Sequence, residues 1–394
     1  MDATAAGGFL RFFCDVPDPR TGNHVTHRLH DLIVIAVLAV VCGADGWAQV
    51  QLWGRCKAKW LATFLDLPGG IPSHDTFGRV FARLDPAAFE RCFLAWMAAV
   101  VELSGGRLVA IDGKAIRRSF EHGWDRSGMA HLVSAFVGQG GNRLVLGQLA
   151  VADKANEIVA IPRLLDLLDL RGAVVTIDAI GCQREVAAKV VEGGGDYVLP
   201  VKDNQPTLLA KVGALADNFA LDHAKGVAGS RVGYHEESAE AHGRAETRRV
   251  WVTDEVKWLG RDLLGLWPGL AAGSIAVVER VRQDRGDFAN RGGAPAVTER
   301  RYFISSLGGL DAARVAAAVR GHWSVENNLH WQLDVSFRED DRRIRKGHGA
   351  ENFSRLCRIA LNLLKIDKSL KAGIQSKRLN AGWDHDYLLR LISQ

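Results

Sequence analysis

The stretches Leu108-Val109-Ala110-Ile111-Asp112 and Ala173-Val174-Val175-Thr176-Ile177-Asp178 decide the fold. Each is a short run of apolar and β-branched residues, typical of a buried strand, and each ends in an aspartate. The intervening runs His131–Val137 and Arg143–Val151 are also β-prone, and Glu157–Leu170 has the apolar period of a helix. The predicted element order up to Asp178 is therefore three strands, a helix and a fourth strand.

The segment after Asp178 continues as alternating helix and strand. A helical period covers Gln183–Val191, and Tyr197–Val201 has the pattern of another buried strand. Three meandering strands followed by alternating helices and strands form the element order of a ribonuclease-H-like fold. We therefore predict an α/β fold with a ribonuclease-H-like core.

The first hundred residues have helical patterns instead. The apolar run Leu32–Cys42, which Asp31 precedes as a candidate N-cap, is too short to span a membrane and predicts a buried helix. Ser73 is a candidate N-cap for a later helix. We therefore predict an all-helical N-terminal domain over residues 1–104, and a second domain over residues 105–394.

Residues 206–305 depart from the core pattern. After one helical stretch, Pro206–Phe219, this interval contains polar, β-prone runs that glycine and aspartate interrupt. We predict that it is a β-rich insertion that protrudes from the core. Beyond it, Asp311 is a candidate N-cap for one long helix that continues to Leu333.

Two carboxylates at strand ends are the first candidates for chemistry. If the strands that end at Asp112 and Asp178 are neighbours, their carboxylates meet at the sheet edge, where like charges repel unless a cation neutralises them. Mg²⁺ suits such a site because it prefers carboxylate, water and phosphate oxygens. The alternative for either residue alone is structural, since an aspartate at a strand end often caps the following turn.

Glu326 is the third candidate. Val319, Trp323, Glu326 and His330 recur at three- and four-residue spacing, which places them on one face of a helix. A face packed in the core would be apolar, so this mixture predicts that the face borders a functional cleft. The alternative is an exposed glutamate without a role.

These residues belong to motifs that resemble the Asp-Asp-Glu transposases of bacterial insertion sequences, in particular the ISAs-type or H-repeat-associated family. The resemblance covers almost the whole chain. Its motifs are Asp18-Pro19-Arg20, Pro72-Ser73-His74-Asp75-Thr76-Phe77, Ile111-Asp112-Gly113-Lys114, Ile177-Asp178-Ala179, Lys202 with Asn204-Gln205, His242-Gly243-Arg244 with Glu246, and His322-Trp323-Ser324-Val325-Glu326-Asn327 followed by Leu329-His330-Trp331. The last of these is the most specific.

The resemblance implies that Asp112, Asp178 and Glu326 form a catalytic triad and bind the metal, with two Mg²⁺ ions expected and Mn²⁺ as a substitute. It also implies DNA as the partner, in the form of terminal inverted repeats and target DNA, and we expect a homodimer on DNA. Broader relatives carry Tyr, Arg and Lys around the catalytic glutamate. This sequence has Val319, His322 and Leu333 there, so the processing of the cut strand ends stays open.

Further residues are candidates for DNA contacts. Lys114 and Lys202 each follow a strand and are candidates to bind phosphates beside the cut, or are ordinary solvated lysines. Trp323 either stacks on a base or packs in the core. Arg79 and Arg83 lie four residues apart, on one helix face, and are candidates to bind the terminal repeats. The full set of candidates is Lys114, Lys202, Asn204, Gln205, His322, Trp323, His330, Arg79 and Arg83.

The composition fits an intracellular globular protein. Of 394 residues, 47% are hydrophobic and 24% are charged, and the net charge of +5 permits a polyanionic partner. The six cysteines lack the paired spacing of a zinc or redox motif. No secretion signal precedes Gly8 and no run is long enough for a membrane span, so we expect a cytoplasmic protein without a membrane partner.

The expected function is that of a DNA transposase. The enzyme would hydrolyse a phosphodiester at the element ends, and the freed 3′-hydroxyl would then attack target DNA. A nuclease without strand transfer and a non-catalytic DNA-binding relic of such an element are the alternatives. Loss of a triad residue would favour the relic, and all three residues are present.

Overall fold

The chain folds into two compact units. The computed structural model describes residues 8–21, 25–101, 107–119, 129–137, 143–151, 156–241, 244–284 and 296–393. Unit 1 comprises residues 1–102, 113–160 and 324–394, and unit 2 comprises residues 103–112 and 161–323. Each unit is therefore assembled from segments that are distant in the sequence.

Helices dominate unit 1, as predicted for the N-terminal region. They are α1 (Leu29–Val41), α2 (Trp47–Leu61), α3 (His74–Arg83), α4 (Pro86–Val100), α10 (Trp331–Val335), α11 (Gly349–Ile366), α12 (Ile374–Trp383) and α13 (His385–Ile392). The predicted N-cap Ser73 is confirmed, because its hydroxyl accepts a hydrogen bond of 3.2 Å from the Thr76 amide. The predicted cap Asp31 is wrong. It is buried in the first turn of α1, where its carboxylate accepts the Leu67 amide at 3.3 Å.

The core of unit 1 is built around α1 and α11. Residues Leu32–Val41 of α1 are all fully buried, as their apolar run predicted, and none of the described helices is long and apolar enough to cross a membrane. Helix α11 packs on α1, α3 and α4, and Asn352 donates to the carbonyls of Phe81 and Leu84, both at 2.9 Å. The predicted domain boundary between residues 104 and 105 lies outside the described residues and stays a prediction.

Unit 1 also contains two antiparallel strands, β2 (His131–Val137) and β3 (Val145–Val151). Val133 lies opposite Leu149 in their register. Both strands were predicted, although β3 begins two residues later than the pattern suggested, and the predicted connection over residues 138–142 lies outside the described residues. The strand order in unit 1 is β3-β2-β1, where β1 (Leu108–Ala115) is the strand in which the chain passes from unit 2 into unit 1.

A mixed sheet forms the centre of unit 2. Its order is β1-β4-β5-β9-β8-β7-β6. The strands besides β1 are β4 (Val174–Ile177), β5 (Asp196–Val201), β6 (Gly233–Ala241), β7 (Arg244–Thr253), β8 (Ser274–Asp284) and β9 (Val297–Ser305). Strands β1, β4 and β5 are parallel. Each neighbouring pair in the remaining order, β5-β9-β8-β7-β6, is antiparallel. The strands predicted from the apolar runs that end at Asp112 and Asp178 are therefore parallel neighbours.

The β-rich interval predicted over residues 206–305 contains strands β6 to β9, but it does not protrude as predicted. Strand β9 pairs with β5, with Val201 opposite Tyr302, so the four strands extend the sheet of unit 2. The physical reason is that β9 satisfies the backbone hydrogen-bonding groups that β5 would otherwise expose at a sheet edge.

Among the described residues, the helices that accompany this sheet are α5 (Glu157–Leu165), which begins in unit 1, α6 (Arg184–Glu192), α7 (Pro206–Ala224), α8 (Arg261–Leu266) and α9 (Ala312–His322). Asp311 caps α9 as predicted, since its carboxylate accepts the Arg314 amide at 2.9 Å. Helix α9 covers one face of the sheet, where Val315 packs in a cluster with Leu108, Val174 and Val198. Its C-terminus is thereby anchored to the strands that carry the candidate aspartates.

The helix predicted from Asp311 to Leu333 is helical over nearly that whole range, but it is not one regular helix, because a turn at Trp323 and a π-helical segment interrupt it. Helix α9 ends at His322, a π-helical turn covers Glu326–His330, and α10 begins at Trp331. Within unit 1, the side-chain amide of Asn328 donates to the Ser324 carbonyl at 3.1 Å. Asparagine disfavours a regular helix because its side chain competes for backbone hydrogen bonds. Single π-helical turns often occur at functional sites.

Candidate active site

Asp112 and Asp178 lie on neighbouring parallel strands. The register pairs Ile111 with Ile177, so each aspartate follows directly after the last paired residue. Neighbouring strands are about 4.8 Å apart, and both aspartates are half-buried, whereas the isoleucines before them are buried. The structure therefore makes two of the three predicted carboxylates neighbours at the end of β4, although β1 does not end at Asp112 as predicted but continues to Ala115.

The turn after Asp178 holds that carboxylate in place. Its Oδ1 atom accepts the amides of Ile180 at 3.0 Å and Gly181 at 3.4 Å, within the 3₁₀ turn Ala179–Gly181. A Cβ atom at Gly181 would lie 2.2 Å from a methyl carbon of Ile177, so only glycine fits there. The structural alternative of a capping aspartate is thus correct. It is compatible with a second role, because both hydrogen bonds end on the same oxygen.

Asn204 and Gln205 support this turn from the next loop. The Asn204 side-chain amide donates to the Ala179 carbonyl at 2.7 Å, and that of Gln205 donates to the Cys182 carbonyl at 3.0 Å. Both residues were predicted to contact DNA. The structure instead shows their amides bound to the backbone beside Asp178, and DNA contact stays a prediction.

A second cation, Arg301, lies near the predicted Lys202. Lys202 is exposed after β5, and the pairing of Val201 with Tyr302 places Arg301 across from it on β9. The Arg301 guanidinium lies 5.1 Å from the centroid of the Trp323 ring, a cation–π distance. Trp323 is 40% exposed, so it is not packed in the core. Sequence reasoning missed Arg301, because only the pairing of β5 with β9 reveals its position.

Glu326 is exposed and begins the π-helical turn in unit 1. The Lys365 ammonium secures the turn by donating to the carbonyls of Asn328 at 2.8 Å and Arg143 at 2.7 Å. Burial and then the charges of Arg143 and Lys368 lower the pKa of Lys365 to about 7. Arg143 also donates to the Asn328 side-chain oxygen at 2.9 Å. Two basic residues therefore support the turn that carries Glu326.

Comparison with known protein families identifies the family of this chain. A family described as "Transposase DDE domain" matches residues 103–363, a range that includes Asp112, Asp178 and Glu326. The chain belongs to the DDE transposase family. A second family, described as "DDE_Tnp_1-associated", matches residues 10–97.

The chain is also similar to curated proteins, two of which are named as putative transposases. "Putative transposase YncI" of Escherichia coli O157:H7 is 38% identical over 384 residues, which cover 98% of this chain and 94% of the relative. "H repeat-associated putative transposase YhhI" of Escherichia coli K12 is 38% identical over 378 residues, which cover 96% of each. "Uncharacterized protein in dhlA 3'region" of Xanthobacter autotrophicus is 43% identical over 298 residues, 75% of this chain and 93% of the relative.

In this transposase Lys114 belongs to a buried ionic network in unit 1. Its ammonium pairs with Asp334 and, at 3.2 Å, with Glu339, which in turn pairs with Arg358 at 3.0 Å. Burial alone would raise the pKa of Glu339, but the charges of Arg358, Lys114 and Arg342 outweigh it and lower that pKa. Lys114 is only 10% exposed. A phosphate at Lys114, as predicted, would have to compete with two carboxylates.

Four further residues were predicted to contact DNA. His322 is half-buried at the end of α9 in unit 2, and His330 is half-buried at the end of the π-helical turn in unit 1. Arg79 and Arg83 are exposed on α3. The contact of these four residues with DNA stays a prediction.

The donor chemistry at the sheet edge fits a hard divalent cation. Asp112 and Asp178 offer carboxylate oxygens, which Mg²⁺ and Mn²⁺ prefer. Within the described ranges, no group of three or more His, Cys, Asp or Glu side chains is close enough to hold a metal ion. Glu326 as the third ligand therefore stays a prediction.

Proposed function

We propose that this transposase acts for a bacterial insertion sequence: it cuts DNA at the element ends and joins the freed 3′-hydroxyl to target DNA. Asp112, Asp178 and Glu326 are the catalytic carboxylates. The observation that carries the proposal is the parallel register of β1 with β4, which makes Asp112 and Asp178 neighbours in a member of the DDE family.

The strand order supports a ribonuclease-H-like core. Unit 1 contains the order β3-β2-β1 and unit 2 the order β1-β4-β5, with β2 and β3 antiparallel and β1, β4 and β5 parallel. This combination matches the three-strand meander followed by alternating strands that the sequence predicted. Strands β6 to β9 are the insertion before the catalytic glutamate.

Two Mg²⁺ or Mn²⁺ ions, when bound, would activate the attacking oxygen and stabilise the leaving oxygen. Asp112 and Asp178 would hold these ions. The two amides bonded to Asp178 fix the direction of its carboxylate before DNA arrives, and the side chains of Asn204 and Gln205 keep the turn from moving. Such fixed geometry lowers the reorganisation required in the transition state.

Arg301, Lys202 and Trp323 bind the DNA strand next to the aspartates in unit 2. Lys202 offsets the charge of a backbone phosphate, and Arg301 does so in part, because its Nε atom also pairs with Glu299 at 2.8 Å. The exposed Trp323 ring stacks on a base, and the guanidinium on its other face keeps the ring in position. Trp323→Ala should therefore weaken strand processing more than the folding of the protein.

The test uses purified protein, a plasmid with the element's ends, and Mg²⁺ or Mn²⁺. Asp178→Asn, Asp112→Asn and Glu326→Gln each keep the shape and remove the charge, so each should abolish cleavage and joining while end binding persists. Asp203→Asn and Glu185→Gln are matched controls, because both carboxylates are exposed in unit 2 and lie outside the proposed triad. Both control variants should cut and join like the wild type.

The products separate the alternatives. Cleavage at the ends with insertion elsewhere supports the transposase, cleavage alone indicates a nuclease without strand transfer, and binding alone indicates a DNA-binding relic. Full strand transfer by Asp178→Asn would overturn the catalytic assignment. Because two element ends are cut and joined together, we expect the active form on DNA to be a homodimer. Light scattering of the complex with end DNA should then give twice the protomer mass plus the mass of the bound DNA.

A further inference from the structure

Helix α3 and the segment around His27 enclose a cavity of about 430 Å³ in unit 1. This volume is in the range of small-ligand sites, roughly 300–1,000 Å³. Its polar lining consists of cationic, imidazole and hydroxyl side chains, and none of the described lining residues is acidic. The polar side chains of the lining include Arg20, Thr26, His27, Thr76, Arg79 and Arg83. Such a lining favours an anion.

Arg79 and Arg83 supply the uncompensated charge of the cavity. Both are exposed, and they lie one turn apart on α3, whose buried face consists of Phe77, Val80 and Phe81. In the part of the chain that the structure describes, neither guanidinium makes a hydrogen bond or an ion pair. Like charges four residues apart destabilise an isolated helix slightly. An anion between them would reverse that effect.

Arg20 forms the opposite wall and is held in place. Its Nε and Nη2 atoms donate to the Asp18 carboxylate at 2.8 and 2.7 Å, and Nη2 also donates to the His27 carbonyl at 2.7 Å. Asp18 balances the charge of Arg20, so the net positive charge comes from Arg79 and Arg83. Arg20 therefore shapes the cavity, and the two arginines of α3 attract the ligand.

Hydroxyl and imidazole groups complete the lining. The Thr76 hydroxyl is fixed 3.0 Å from the Ser73 hydroxyl, and Thr26 adds a second hydroxyl. Burial, and then the charge of Arg20, lower the pKa of His27, so its ring is neutral at pH 7. Hydroxyl and neutral imidazole groups serve as donors to phosphate oxygens without adding charge.

We propose that this cleft binds phosphate groups of the DNA backbone, with Arg79 and Arg83 as the main contacts. The inference rests on the proposed function, because it takes DNA as the substrate, and it specifies how the N-terminal region contacts DNA. Phosphates are the same in every sequence, so the cleft adds affinity for any duplex and does not read the bases of the terminal repeat.

The test measures equilibrium binding of the full-length protein, without divalent metal, to an end duplex and to a scrambled duplex over a range of KCl concentrations. Arg79→Gln with Arg83→Gln should weaken binding to both duplexes by a similar factor, roughly tenfold or more. The slope of log affinity against log salt should become shallower by about two, since each lost phosphate contact removes about 0.9. Arg79→Lys with Arg83→Lys keeps the charges and should keep most of the slope.

The matched control is Arg55→Gln with Lys59→Gln. These cations are also exposed and four residues apart, but they lie on α2 and do not line the cavity. Equal losses of affinity in the two Gln double variants would overturn the proposal that the cleft binds phosphate. A loss confined to the end duplex would also overturn it, because it would indicate that the cleft reads bases. Circular dichroism and the melting temperature verify that each variant is folded. Failure of wild-type protein to cut DNA with Mg²⁺, despite normal binding, would overturn the proposed function and leave the cleft intact.

Discussion

Two groups of Arg–Glu ion pairs in this transposase lie in opposite environments, one buried and one exposed to solvent. In unit 1, Glu339 and Arg358 are paired with both side chains fully buried. In unit 2, Arg and Glu side chains alternate across β6 to β9, and the pair between Arg249 and Glu236 leaves about two fifths of each side chain exposed, 39% and 41%. Water can solvate Arg249 or Glu236 if its partner is lost, but it cannot reach Glu339 or Arg358.

The difference shows that burial decides how strongly a charged side chain depends on its partner. Removal of one partner from a buried pair leaves an unpaired charge in the interior, whereas cross-strand pairs on a sheet surface add little each. The buried network includes Lys114, two residues after Asp112, and Asp334, eight residues after Glu326. We expect the buried network to hold these two parts of unit 1 rigidly. The exposed Arg and Glu side chains across β6 to β9 should tolerate substitution.

The largest expected effect is that of Glu339→Gln. It leaves Arg358 charged and buried without its carboxylate, so the free energy of unfolding should fall by about 3–5 kcal/mol. Urea denaturation monitored by tryptophan fluorescence measures this. Arg358→Met added to Glu339→Gln should recover part of the loss, because it removes the unpaired charge. A single variant as stable as the wild type would contradict the comparison.

Lys365→Met tests the support beneath the turn that carries Glu326. Two backbone carbonyls, of Asn328 and Arg143, lose their donor, so we expect a loss of about 1–3 kcal/mol. The pKa of Lys365 is lowered to about 7, so between pH 7 and 10 the unfolded chain binds more protons than the folded one. The wild type should therefore gain stability over that interval and the variant should not. Parallel pH profiles for the two proteins would refute the role of Lys365.

Asp367 provides a similar test at acid pH. Burial alone would raise the pKa of Asp367, but hydrogen bonds from Ser369, Lys377 and Tyr387 lower it to about 2. Its stabilisation is full above the unfolded pKa near 3.8 and is lost as the pH falls through about 2. Asp367→Asn should therefore cost roughly 2 kcal/mol at pH 6 and almost nothing near pH 2. Acid titrations of both proteins at fixed urea concentration measure the difference.

The smallest effect is expected for an exposed ion pair that joins β6 to helix α9. Glu237→Gln breaks a pair with Arg320 of 2.6 Å, in which the side chains are 30% and 59% exposed. Exposed pairs contribute about 0.2–1 kcal/mol, and salt screens them. The variant should match the wild type in 0.5 M KCl and lie only slightly below it at low salt. A loss as large as that of Glu339→Gln would show that exposure does not govern these energies.

Local sequence determined the elements whose signals lie within a few residues. Ser73 and Asp311 were predicted as caps because a capping side chain binds amides two or three positions later. The apolar runs that end at Asp112 and Asp178 predicted buried strands because only an interior position hides such runs from water. These signals, with the family motifs, were enough to predict the paired aspartates.

Tertiary structure alone decided what depends on partners distant in the sequence. The ammonium of Lys114 binds carboxylates at Asp334 and Glu339, more than two hundred residues away. The pairing of β5 with β9 places Arg301 near Lys202, and no local pattern encodes that register. The cleft at Arg79 likewise needs Arg20 on another segment to form its wall. Capping and burial depend on neighbours in sequence, whereas the charge environment of a side chain depends on neighbours in space.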